Sequence, residues 1–146
     1  MVQISSLENF IRKSIWQLTR QGDIQKYIPK ELHNGVVVGD CAVIKNKAKS
    51  YDIFSKQRKP LKKNIFNHKI AIVIATIMSQ YTDRFKTVLK DLTELDAEYS
   101  NATENWEKYK AKSKDAPHLE VDLDEWEEQV YVLSNEIEKI YCEYTI

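Results

Sequence analysis

The sequence predicts an α+β chain, mostly helical, made of an N-terminal helix, a small β-hairpin and a long antiparallel helical hairpin of coiled-coil type. Three observations carry this expectation. A β-branched run from Val36 to Ile44 is followed by a second short run at Tyr51 to Phe54. Apolar residues then step by four and three from Ile74 to Tyr109, and a second such series runs from Leu123 to Tyr144.

The first element rests on Ser5-Ser6-Leu7-Glu8, which has capping-box spacing, and on Leu7, Phe10, Ile11, Ile15 and Leu18 at helical period, with Gly22 as a stop. After Pro29 and the turn-like Asn34-Gly35 comes the hairpin, connected through Asn46 to Ser50 and ended by Pro60. Two strands alone are marginal in water, so the hairpin must lie against a helix or pair with another subunit. From Ile70 to Met78 a helix would be apolar nearly all round and must be covered on several sides by the hairpin, the first helix or another subunit. Its Ile70, Ile74 and Met78, with Tyr81 and Phe85 further on, form the candidate oligomer interface.

The heptad positions Ile74, Met78, Tyr81, Phe85, Val88, Leu92, Leu95, Tyr99, Ala102, Trp106 and Tyr109 would make one helix about 50 Å long if unbroken. Pro117 interrupts, Asp122 has cap spacing for a second helix, and Leu123, Trp126, Val130, Leu133, Ile137, Ile140 and Tyr144 form its seam. Residues 1–69 thus hold the N-terminal helix and a basic hairpin region and 70–146 the helical hairpin, as one folding unit.

With 146 residues, 42% of them hydrophobic, the chain can bury a core without disulfide or metal. Only three glycines and no Gly-rich loop speak against nucleotide-cradling motifs. Cys41 and Cys142 belong to no paired motif, which points to a reducing, cytoplasmic setting, and no apolar run approaches the length of a membrane span. His33, His68 and His118 are scattered, so neither metal nor cofactor is expected. The acidic run Glu120, Asp122, Asp124, Glu125, Glu127 and Glu128 lacks the spacing of a calcium loop. Cys41 sits in a strand pattern with no oxyanion loop beside it, so no catalytic set is expected.

The zero net charge hides a segregation: residues 45–69 carry nine basic side chains against Asp52 alone, while 91–146 carry five basic and sixteen acidic ones. Lys56, Arg58, Lys59, Lys62 and Lys63, with aromatic residues nearby, are the candidate polyanion-binding set.

Residues Val38 to Lys45, Tyr51 to Phe54, Asn64 to Phe66, Ile70 to Ala75 and Leu92 to Tyr99 resemble small uncharacterised proteins of tailed phages, particularly phages of marine bacteria. The resemblance covers about residues 38–99 and implies a viral origin, with the host cytoplasm or the virion as location. It brings no activity and no functional residue. The expectation is a non-enzymatic, self-associating interaction or structural protein, a homo-oligomer that also serves assembly or binds a host protein. The alternative is a nucleic-acid-binding protein using residues 45–69.

Overall fold

The computed structural model describes residues 28–80 and 86–145. Five strands come first: β1 (Lys30–Leu32), β2 (Gly35–Val38), β3 (Cys41–Lys45), β4 (Tyr51–Ser55) and β5 (Pro60–Ile65). They form one antiparallel sheet in sequence order. Three helices follow, α1 (His68–Gln80), α2 (Lys86–Ser113) and α3 (Glu120–Tyr144), the last entered through a 3-10 turn at Pro117–Leu119.

Each connection in the sheet has a local cause. The β2–β3 turn uses Gly39 at φ 58, in the left-handed region open to glycine. The β3–β4 and β4–β5 loops share a design: Lys49 N–H bonds to Asn46 O and Arg58 N–H to Ser55 O. Lys49 and Arg58 then take φ 62 and φ 64, the left-handed residue that closes a three-residue hairpin loop. Asn46 holds its loop by accepting from the Ala48 and Ser50 amides through Oδ1, and its Nδ2 donates to Asp52.

The core lies between one face of the sheet and the helices. Register places Val36, Val38, Cys41, Val43, Ile53 and Ile65 on that face, all buried. Against them lies α1, in which every residue from Ile70 to Met78 is buried. Asn67 caps α1 by accepting from the Lys69 and Ile70 amides. At the other end Ser79 Oγ donates to Val38 O and accepts from the Asp40 amide, tying α1 to the β2–β3 turn.

Helix α2 runs back along α1. The Asp96 carboxylate, a third of the way along α2, accepts from the Phe66 and Asn67 amides just before α1 begins, each at 2.7 Å. Beyond Asp96 the rest of α2 travels about 25 Å further at 1.5 Å per residue. Helix α3 returns beside it, and a Lys69–Glu138 ion pair and Lys69 over the Tyr141 ring join it to the start of α1. Buried side chains end at Ala102 in α2 and resume at Gln129 in α3. Trp126 packs against the edge of the core, so residues 103–125 form an arm that projects from the sheet end carrying the β3–β4 loop, with Trp126 to Tyr131 at its base.

The expected architecture is corrected on these points. The small hairpin is the middle of a five-stranded sheet, and three helices follow it in place of a coiled-coil helical hairpin. Pro60 opens β5 rather than ending the strands, at the first position of an edge strand where no ladder amide is needed. The heptad series across residue 80 does not mark one straight helix, because α1 packs in the core between the sheet and α3 while α2 doubles back. Helix α3 starts at Glu120, ahead of Asp122, with Leu119 as N-cap and no side-chain cap. The expected N-terminal helix, Ser5 to Leu18, lies outside the described residues.

Candidate functional site

The second face of the sheet is the feature that asks for an explanation. Alternation along β2, β3 and β4 sends Val37, Ala42, Ile44 and Phe54 away from α1, and register sets Val37 beside Ala42 and Ala42 beside Phe54. These side chains, with Gly39 and Asp40, line a concave surface of about 550 Å³ whose rim carries Lys56 and Arg58. None of the described helices packs on it, since α1 lies on the opposite face. An antiparallel sheet normally turns polar side chains to its open face, and an apolar one is a surface that calls for cover.

The predicted basic set is brought together only in part. Lys56, Arg58 and Lys59 lie in the β4–β5 loop or at its edge, at the same end of the sheet as the β2–β3 turn. Lys62 pairs in register with the buried Ile53 and lies close enough to influence the Asp96 carboxyl, and Lys63 follows on the edge strand. Lys45, Lys47 and Lys49 stand at the other end of the sheet.

Of the candidate interface residues, Ile70, Ile74 and Met78 are 2%, 1% and 8% exposed within a single chain. The cover that an all-round apolar helix requires is supplied here by the sheet on one side and by α2 and α3 on the other. Tyr81 and Phe85 lie outside the described residues.

Other reactive groups are accounted for by packing. Cys41 is buried on the inner face, and burial pushes its thiol pKa up, partly offset by the adjacent Ser79 hydroxyl. His68 stacks on Tyr51 with ring centroids 4.7 Å apart, and burial followed by the charge of Lys69 lowers its pKa. This pair borders a second groove, about 590 Å³, with Glu31, Asn34, Lys45 and Asn46. Asp91 and Asp96 have raised pKa values, in both cases chiefly through burial; the Phe66 and Asn67 amides and Lys62 pull Asp96 back down. Among the described residues no group of three His, Cys, Asp or Glu could hold a metal, and no helix is long and apolar enough to cross a membrane.

The outer face was missed at the level of sequence because Val36 to Val38 and Cys41 to Ile44 read simply as apolar strands. Their signal was continuity: a strand apolar at consecutive positions is apolar on both faces and needs cover on both. Compared with known proteins, the chain matches no family model, no curated protein and no solved structure.

Proposed function

We propose that the protein is a non-enzymatic, self-associating interaction protein that docks a partner chain on the open face of its sheet. The observation that carries this is the concave apolar floor of Val37, Ala42, Ile44 and Phe54 with Lys56 and Arg58 at its rim. Burying such a floor is favourable at about 25 cal/mol per Å², and the two cations give the contact orientation as well as area.

Sedimentation velocity across a concentration series tests it. The wild-type chain is expected to associate at tens of micromolar and a Phe54→Glu variant to stay monomeric. A wild type that remains a monomer throughout would overturn the proposal.

A second reading, nucleic-acid binding, is favoured by Phe54 standing beside Lys56 and Arg58 on the same surface. It predicts binding of labelled single-stranded DNA or RNA with a modest log-log salt slope, near −2 for about three phosphates. The separation of Lys45, Lys47 and Lys49 from the rim leaves only a short track for a phosphate chain, so self-association is preferred.

A further inference from the structure

We infer that the occupant of the open sheet face is the acidic arm of a second copy, so that copies join head to tail. This rests on the self-association proposed above and names its partner surface. The first nine residues of α3, Glu120 to Glu128, hold six carboxylates and no base. At 100° per residue Val121, Asp124, Glu125, Glu128 and Tyr131 fall on one stripe of that helix, and Val121 and Tyr131 are 68% and 67% exposed. The stripe therefore carries Asp124, Glu125 and Glu128 between two exposed apolar side chains, so that a carboxylate can meet the Lys56–Arg58 rim while an apolar end reaches the floor.

Dimensions agree with this pairing. From Val121 to Tyr131 the stripe is about 15 Å long. A five-residue strand such as β3 or β4 is about 17 Å long, so the stripe spans the floor. Helix on sheet is also an ordinary way to bury both surfaces.

Geometry forbids the same contact within one chain. Lys56 and Arg58 lie at the sheet end that holds the β2–β3 turn, whereas the arm leaves from the opposite end, beyond Asp96 and Asn67. The sheet and the arm together put tens of ångströms between rim and stripe. A surface that fits a different surface of the next copy makes a heterologous contact, which closes into a ring or continues as a filament.

The test is a charge exchange in the full-length chain, read by sedimentation velocity. A rim variant carries Lys56→Glu with Arg58→Glu, and an arm variant carries Glu125→Lys with Glu128→Lys. Each alone is expected to stay monomeric where the wild type associates: the rim variant sets an acidic rim against an acidic arm, and the arm variant leaves Asp124 with two lysines on the stripe, a net positive charge facing a positive rim. An equimolar mixture is expected to recover association, which also shows that both variants fold. A control with Lys47→Glu and Lys49→Glu, at the other sheet end, is expected to associate like the wild type.

A mixture that stays dispersed while the wild type associates would overturn the rim–arm pairing and leave self-association standing. So would variants that each still associate alone, or a control that behaves like the rim variant. Association that appears only when residues 1–27 are removed would assign the face to that segment instead. A monomeric wild type would overturn both proposals.

Discussion

Cys41 and Cys142 have the same chemistry in opposite surroundings, one buried between β3 and α1 and one exposed on α3. Thiolate fraction and access together set reactivity, and Cys41 lacks both. Titration of the native protein with a thiol reagent is expected to count one group quickly and the second only on unfolding; two equally fast groups would contradict the placement of Cys41. His68 gives a pH dependence. Its folded pKa lies below the ordinary 6.5, so the fold disfavours the imidazolium. The stability it contributes is complete above pH 6.5 and is lost as pH falls through the lowered value. Urea unfolding at pH 7 and at pH 5.5 is expected to show a loss, and His68→Phe to shrink it. Asp91 and Asp96 form a contrasting pair. Asp91 keeps Oδ2 buried without a hydrogen-bond partner among the described residues, so Asp91→Asn is expected to cost little or to stabilise by about 1 kcal/mol at neutral pH. Asp96 holds two amides, and Asp96→Ala is expected to destabilise by about 1–3 kcal/mol by leaving both donors unmet. None of these distinctions was legible in sequence, where a carboxylate in a heptad series reads as a solvated position; burial by a returning helix decides otherwise.

Elements were legible where their residues face one consistent environment. The interiors of β2, β3 and β4 follow from their β-branched runs, and Leu92, Leu95, Leu133, Ile137 and Ile140 fall at apolar period and are buried. The two edge strands were not legible, for a shared reason. Lys30–Leu32 is exposed throughout, and Pro60–Ile65 carries Pro60, Lys62 and Lys63, the charges and proline that blunt a sheet edge against stray pairing. Such sequence has no alternation to detect. The loops provide a measurable consequence: a non-glycine residue in the left-handed region costs about 1 kcal/mol. Lys49→Gly is therefore expected to raise the melting temperature by a few degrees, given that about 1 kcal/mol is worth roughly 2–8 °C at this size. A lowered melting temperature would mean that the loop does not hold Lys49 as described. Within α1, Ile74→Ala removes a side chain that is 1% exposed and is expected to cost about 2–5 kcal/mol in chemical denaturation.

At the scale of the whole molecule, charge segregation was legible from counting residues, but its spatial meaning was not. Counting cannot say that six of the nine basic residues divide between two ends of a sheet while Lys62, Lys63 and Lys69 lie on an edge strand and a helix, or that the acidic run sits on an arm pointing away from the rim. That information lies in the reversal of the chain between α1 and α2, fixed by the Asp96 contacts to amides distant in sequence. A contact steered by exposed charges weakens as the screening length falls from about 10 Å at 0.1 M salt to about 3 Å at 1 M. Association is expected to decline across that range, and an affinity indifferent to salt would shift the weight to the apolar floor alone. The same arm has a consequence for handling the protein. A chain of zero net charge with a pI near 6.8 should be ignored by both kinds of ion-exchange resin at neutral pH. Separating a basic body from an acidic arm instead creates a large electric dipole, and each resin is offered a pole of the sign it retains. The molecule behaves as an acid at one end and a base at the other, and it will bind to both columns.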